Sequence, residues 1–520
     1  MRRNRMYKLC AAVFLLAAGC FGAREKSAGI ENYESVQRTA RIDPDYAGTV
    51  IPPNIAPLNF SVQEPGAEYR IEIRSTQGAA IVVASSMPQI EIPSTSWKKL
   101  LAANRGEKVY FDIYIREHEE QWRRFAPLVS EIAAEGIDPY LAYRLLKPLY
   151  NKYVNIGIYQ RNLETYDETA ILENRNADRA CINCHTFVKN QPDPMVIQTR
   201  SRHGLTMLLA RDGKVTTVDT RTPFNSSPAA YTSWHPGGRH MVFSVNKVSL
   251  FFHTDPLQET RDVFDAGSDL ALYTVASNTL TTTAAISDPG RAENWPEWSP
   301  DGRYLYFSSA TVLPIERFKE VRYDLMRLSW DVESGAWGKL ETVLSAAETG
   351  LSITQPKVSP DGRFLVCTMA AYGNFPVFLA SSDLYMVDLE SGHYRRLDIN
   401  SEQADSWHAW SSNGRWLVFS SKRRDGLFAK PYFSYVDAEG RVHKPVLMPQ
   451  RDPQFYDSFI KTYNVPVFIT GPVRARQRDL AKAIYEPSNP LTAELDPRVQ
   501  VRERDDSSSA PEPYLPGIVQ

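Results

Sequence analysis

Four segments of the chain repeat one pattern, in which a turn is followed by alternating apolar and polar residues. They are SWHPGGRHMVFS (233–244), EWSPDGRYLYFSS (297–309), KVSPDGRFLVCT (357–368) and AWSSNGRWLVFSS (409–421). The turn glycines Gly238, Gly302, Gly362 and Gly414 lie 64, 60 and 52 residues apart. Asp-Gly and Asn-Gly sequences favour tight reversals, and period-2 alternation is typical of strands. The pattern therefore predicts a series of β-hairpins.

A sheet built from one such repeat cannot bury both of its faces, so neighbouring repeats must stack around a ring. The Trp-Ser-Pro-Asp-Gly sequence at residues 298 to 302 and its variants resemble the repeat of the TolB-like propeller family. This resemblance implies a mainly β fold with a β-propeller over residues 203 to 475. We expect about five or six blades.

The region before the repeats changes its pattern at about Glu117. Residues 46 to 116 contain alternating runs, at 69 to 74 and 109 to 115, separated by Pro and Gly, which predict a small β-sandwich. From residue 117 to 202, apolar residues such as Trp122, Phe125 and Val129 recur at helical spacing. Asp138-Pro139 is a typical helix start. We expect a short helical segment here that holds the haem described below.

The first 19 residues are typical of a bacterial signal peptide, with a basic head and an apolar run that is too short to span a bilayer. The run ends in Leu-Ala-Ala-Gly-Cys20, which resembles the lipobox of bacterial lipoproteins. That resemblance implies acylation of Cys20, a flexible tether over residues 20 to 45, and an envelope protein anchored by lipid, with Phe21 favouring the outer membrane. A plain secretory signal is the alternative.

Composition excludes one class of partner. The chain of 520 residues has 59 basic and 61 acidic side chains, a net charge of -2, and no basic run beyond its first eight residues. Nucleic acid is therefore not expected as a partner. Residues 476 to 520 are rich in proline and charge and predict a disordered tail.

The sequence Cys181-Ile-Asn-Cys184-His185 matches the attachment motif of a covalent c-type haem. Two thiols at this spacing bond the vinyl groups of one porphyrin, and the histidine ligates its iron. A redox-active cysteine pair, a zinc site and a disulfide are the alternatives. A thioredoxin-like site would need a βαβ context, and a zinc site would need a second ligand pair, neither of which the sequence contains. We expect one haem c.

His185 is the expected proximal iron ligand. Met195 follows in a Pro-rich loop and is our first choice for the distal ligand, because Met/His ligation suits electron transfer. His203 and Met207 are the alternatives, and an iron with an open sixth position is another. Cys367, the remaining cysteine of the mature chain, lies in an apolar run and is expected to be buried.

Three segments, one of which contains the haem motif, resemble a group of exported bacterial proteins known as TolB-like or, loosely, cytochrome c biosynthesis proteins. They are Ile-Pro-Pro-Asn-Ile-Ala-Pro-Leu-Asn-Phe at 51 to 60, Asp-Pro-Tyr-Leu at 138 to 141, and Cys-x-x-Cys-His-Thr-Phe at 181 to 187. The expected function is that of a lipid-anchored monohaem protein whose propeller docks a redox or envelope protein and whose haem transfers electrons. A haem oxidoreductase with substrate in the propeller pocket, and an envelope interaction protein with a structural or sensory haem, are the alternatives. No catalytic constellation stands out, which favours electron transfer or binding over catalysis.

Overall fold

The computed structural model describes residues 30–118, 120–147, 155–201, 206–252, 261–487 and 489–500. The predicted signal peptide, Cys20 and His203 lie outside these ranges. Within them, no helix combines the length and apolar character that crossing a bilayer requires.

The N-terminal part of the chain forms two sheets and one helix. Its elements are β1 (Tyr33–Thr39), β2 (Ile42–Asp43), β3 (Val50–Ile51), β4 (Phe60–Val62), β5 (Glu68–Arg74), β6 (Ile81–Ser85), β7 (Gln89–Ile90), α1 (Ser94–Ala103), β8 (Lys108–Arg116), β9 (Trp122–Ala126) and β10 (Leu128–Ile132). Seven of the strands form one sheet around β8, and β2, β4 and β7 form the other. Phe60, Trp97 and Phe111 are buried in the core that these layers share.

This unit extends beyond the boundaries expected from the sequence. Strand β1 pairs in parallel with β9, so part of the expected tether, residues 33 to 39, belongs to the sheet. Strands β9 and β10 continue the sheet past residue 116. Most side chains of β1 are exposed, and the strand is held by its pairing with β9 and by side-chain contacts such as the ion pair of Arg38 with Glu64.

The rest of the chain forms six radial sheets, which we call blades 1 to 6. Blade 1 contains β11 (Tyr140–Leu146), β12 (Gly157–Asn162) and β13 (Glu168–Glu173), and blade 2 contains β14 (Cys181–Phe187), β15 (Met195–Arg200), β16 (Met207–Arg211) and β17 (Lys214–Asp219). Blade 3 contains β18 (Ala229–Trp234), β19 (His240–Phe252), β20 (Arg261–Thr274) and β21 (Thr279–Thr281), and blade 4 contains β22 (Arg291–Trp298), β23 (Tyr304–Thr311), β24 (Asp324–Trp330) and β25 (Trp337–Leu344). Blade 5 contains β26 (Ser352–Val358), β27 (Phe364–Ala370), β28 (Asp383–Asp388) and β29 (Tyr394–Arg396), and blade 6 contains β30 (Asp405–Trp410), β31 (Trp416–Ser421), β32 (Lys430–Tyr435) and β33 (Val446–Leu447).

The ring is closed by a late strand. Strand β34 (Thr462–Ile469) pairs with β11 and becomes the innermost strand of blade 1. The described residues thus form a six-bladed propeller, which confirms the mainly β fold and the propeller expected from the repeats.

The helical segment expected over residues 117 to 202 is wrong. The described parts of this range form strands β9 to β15 and one 3-10 turn, Asn174–Asn176. Leu141 and Leu145 are four residues apart, a spacing that places two side chains on one face of a helix and also on one face of a strand. Pairing of β11 with β12 and β34 decides between the two. The propeller consequently begins at β11, well before residue 203.

Small elements join the blades and cover their edges. They are α2 (Ala346–Thr349), α3 (Phe455–Ser458), α4 (Gln477–Tyr485), β35 (Leu491–Thr492), β36 (Glu494–Leu495) and the 3-10 turns Ala284–Ile286, Ile315–Glu320 and Pro376–Phe378. The last helix and two strands contradict the disordered tail as far as residue 500. Strands β35 and β36 add to the outer edges of blades 2 and 3.

Candidate functional site in the propeller channel

The haem motif lies on the innermost strand of blade 2. Strand β14 begins at Cys181 and pairs with β15, with two residues, Asn183 and Cys184, opposite the single residue Gln198. This two-for-one arrangement is a β-bulge, which redirects side chains locally.

The same bulge occurs in the innermost strand of every blade. In the other five blades its first residue has a positive φ, between 48° and 54°; these residues are Tyr231, Trp295, Gln355, Trp407 and Val465. Cys184 occupies the second bulge position, which in blade 6 is His408. His185 occupies the next position, which Glu297 and Lys357 take in blades 4 and 5. The haem motif is thus one of six copies of a channel-lining segment.

The six bulges surround a cavity of about 460 Å³ in the propeller channel. Cys184 and His185 line it together with the bulge residues of the other blades. The volume is within the range of sites for small molecules and cofactors.

Three rings form what we call the aromatic wall of this cavity: Tyr231, Trp295 and Trp407. Tyr231 stacks on Trp295 with the ring centroids 3.6 Å apart, and Trp407 meets Trp295 edge-on at 5.1 Å. The Trp295 indole donates a hydrogen bond to the Asn374 carbonyl at 2.9 Å, which fixes the ring. The wall presents a large, rigid apolar surface to the cavity.

Three polar side chains, which we call the polar edge, also line the cavity. Lys357 Nζ lies 2.6 Å from Glu297 Oε2, which also accepts a hydrogen bond from Ser233 Oγ at 3.2 Å. These three side chains occupy the same position in consecutive blades, so the ring geometry brings them together.

His185 is buried and its imidazole has no ordinary partner. Only 2% of the residue is exposed, and neither ring nitrogen makes a hydrogen bond of normal geometry within the described residues, although the backbone of Ala142 and Val465 lies nearby. Burial, followed by the charge of Arg144, lowers the pKa of His185 to about 3. The imidazole is therefore neutral at physiological pH, which is the form that ligates metals.

The other two members of the expected site are also buried. Cys181 and Cys184 are 5% and 6% exposed, and neither is in a disulfide. Cys181 opens β14 and pairs with Arg200, and it does not line the cavity.

Met195 is not brought to the cavity. It is 1% exposed at the start of β15, opposite Phe187, and packs in the core between blades 1 and 2. Met207, the other methionine considered, is fully buried in the next core along the ring. Cys367 is fully buried in blade 5, which confirms its expected apolar environment.

His408 also lines the cavity. Its Nε2 lies 2.9 Å from the Val366 carbonyl oxygen, and burial lowers its pKa to about 3. The aromatic wall was missed altogether. Each of its three residues lies seven positions before a turn glycine, Gly238, Gly302 or Gly414, so aligning the repeats on their turns would have revealed it.

Comparisons with known proteins find solved structures that resemble this chain in fold. No family model and no curated protein matches this sequence. A putative TolB from Agrobacterium tumefaciens is similar in structure over 60% of this chain and 89% of its own, with 15% identity and a TM-score of 0.37. A nidogen/laminin complex structure matches over 64% of this chain and 98% of its own, with 10% identity and a TM-score of 0.36. A hydrazine synthase structure from Kuenenia stuttgartiensis matches over 50% and 67%, with 13% identity and a TM-score of 0.30.

Proposed function

We propose that this chain is an exported, lipid-anchored c-type monohaem protein that transfers electrons from a haem held in the propeller channel. One observation carries the proposal: Cys184 and His185 of the attachment motif line a cavity of about 460 Å³, and the His185 imidazole is buried, neutral and without a hydrogen bond of normal geometry within the described residues. A neutral imidazole is the form that ligates a metal.

Two of the three motif residues, Cys184 and His185, line the cavity, and the third, Cys181, does not. Cys181 and Cys184 would supply the two thioether bonds, and neutral His185 would supply the axial nitrogen. Bound there, a haem iron would supply reversible one-electron chemistry. The proposal requires Cys181, the first residue of β14, to turn toward the cavity.

The protein's own groups would set the environment of the porphyrin. The aromatic wall would pack against a flat ring and exclude water, and the Glu297–Lys357 pair would place charge near it. Because Met195 packs in the core between blades 1 and 2, we propose an open sixth iron position in place of methionine ligation.

An open position in a cavity with a polar edge also favours the second candidate, a haem oxidoreductase with substrate in the channel. Lys357 is 35% exposed, so its ammonium group can meet a small anionic molecule entering the cavity. The partner protein, the lipid anchor at Cys20 and the envelope location rest on the sequence.

The test is expression of the full chain in a bacterium that carries a c-type haem maturation system. We expect covalently bound haem, detected by mass and by the reduced absorption spectrum after denaturation. The double variant Cys181→Ser/Cys184→Ser should lose covalent haem, and Cys367→Ser should keep it, since Cys367 is an equally buried cysteine in blade 5.

Carbon monoxide binding by the reduced protein tests the open sixth position. Wild-type protein that folds and carries no covalent haem contradicts the proposal, as does haem retained by the double variant. Haem that binds no carbon monoxide contradicts the open position alone.

A further inference from the structure

A second polar cluster lies at the other side of the aromatic wall, buried between blades 3, 4 and 5. Its centre is Asp265 of β20, whose Oδ2 accepts hydrogen bonds from the side-chain amides of Asn246, Asn294 and Asn374. The Asn246 and Asn374 contacts are both 3.0 Å long. Asn374 is also the residue whose carbonyl holds the Trp295 indole. The cluster is therefore built from three blades and is fastened to the wall of the cavity.

Three oxygen atoms of this cluster have no donor. Asp265 Oδ1, Asn246 Oδ1 and Asn374 Oδ1 are buried and make no hydrogen bond of normal geometry within the described residues. The three residues are 7%, 8% and 1% exposed. Since the oxygen and nitrogen of an amide share one carbon, both amide oxygens lie within about 5 Å of the Asp265 carboxylate.

The surroundings add negative charge. Burial raises the pKa of Asp265 to about 6, hydrogen bonds from Ser268 and the asparagines oppose this, and the charge of Asp269 raises it further. The amide nitrogens of Asn246 and Asn374 donate to Asp265 Oδ2, so the three unpaired atoms of the cluster are all acceptors. One cation would satisfy all three, whereas each buried unpaired acceptor costs about 1 to 3 kcal/mol.

The chemistry of the donor set selects a class of ion. Among the described residues no group of three or more His, Cys, Asp or Glu side chains is arranged to hold a metal ion. The present cluster has one carboxylate and two amide oxygens, without sulfur or imidazole. Such oxygens suit hard cations, with water completing a coordination number of about six to eight for calcium.

We propose that Asp265, Asn246 and Asn374 bind a hard, oxygen-seeking cation, with calcium as the fitting divalent ion. The ion would join blades 3 and 5 through their side chains. One of its ligands, Asn374, is also the residue whose carbonyl accepts the hydrogen bond of the Trp295 indole. This site is separate from the proposed haem site, since none of its three ligands lines the cavity.

The test uses the full chain, freed of metal with a chelator and then titrated with Ca²⁺ by calorimetry and with Tb³⁺ by luminescence. Tyr323, fully buried and close enough to Asp265 to feel its charge, should sensitise terbium emission. We expect saturable binding and a melting temperature that rises with calcium. Asp265→Asn should weaken affinity by at least about tenfold, because even residues that only support metal ligands cost that much.

The matched control is Asp138→Asn. Asp138 is also 7% exposed, and its carboxylate is held by Ser412 at the opposite side of the ring, so this variant should bind calcium like the wild type. Wild-type protein with no calcium-dependent binding or stabilisation overturns the proposal, and this outcome means that water alone fills the site. Unchanged affinity in Asp265→Asn also overturns it. Neither result depends on haem attachment.

Discussion

At the scale of single residues, the turn glycines set how closely neighbouring blades approach. Gly302 and Gly362 occupy the same Pro-Asp-Gly turn in blades 4 and 5, with φ of +77° and +76°. A Cβ atom at Gly302 would lie 2.3 Å from His235 Nε2 of blade 3, whereas one at Gly362 would meet nothing within 4 Å. His235 is itself packed among Trp298 and Trp330 and has little room to move.

The two glycines therefore form a matched pair of substitutions. Gly362→Ala should destabilise the protein by about 1 to 2 kcal/mol, the cost of a left-handed alanine. Gly302→Ala should cost about 1 to 3 kcal/mol more, because His235 must shift within its aromatic packing. Chemical denaturation of both variants measures the difference, and equal losses would refute the contact as a constraint.

At the scale of elements, the C-terminal additions protect the outer edges of the propeller. Helix α4 buries Leu480 and Ile484 completely, and β35 and β36 pair with β17 and β21. These strands cover edges that would otherwise present unpaired backbone groups.

Removing residues 477 to 520 should lower the melting temperature by on the order of 5 to 10 °C, since two fully buried aliphatic side chains and two strand pairings are lost. Removing residues 501 to 520 alone is the control, and it should leave the melting temperature close to that of the full chain. Thermal denaturation followed by circular dichroism makes the comparison. Equal stability of the two truncated proteins would show that α4 and its strands add nothing.

At the scale of the whole molecule, the N-terminal unit and the propeller share one core. A single cluster of buried side chains runs from Phe60 and Trp97 to Trp416 and Phe433 of blade 6. Hydrogen bonds cross the same boundary: Asn59 Nδ2 donates to the Arg451 carbonyl at 2.7 Å, and Trp416 Nε1 donates to the Glu135 carbonyl at 3.2 Å.

We expect one cooperative unfolding transition, with calorimetric and van't Hoff enthalpies that agree. Asn59→Ala should lower the temperature of this transition without splitting it, because the loss of a buried hydrogen bond weakens a shared core. Scanning calorimetry is the measurement. Two separate transitions in the wild type would show that the two units unfold independently.

Local features of the sequence determined a large part of this protein. The Pro-Asp-Gly and Ser-Asn-Gly turns, at Gly302, Gly362 and Gly414, lie at the hairpin reversals as expected, because a tight turn needs a positive φ whatever surrounds it. The motif at Cys181, Cys184 and His185 was visible as spacing alone, and the burial of Cys367 followed from its apolar neighbours.

Only the tertiary structure decided how these parts meet. Leu141 and Leu145 carry a spacing compatible with helix or strand, and pairing with β34, more than 300 residues later, selects the strand. The Pro-rich sequence before Met195 predicts a loop that could present it to the iron, yet neighbouring strands bury it away from the cavity. The placement of His185, Tyr231 and Trp295 around one cavity, and of Asp265 among three asparagines, depends on ring closure. Contacts between blades join residues far apart in the chain, and no local pattern encodes them.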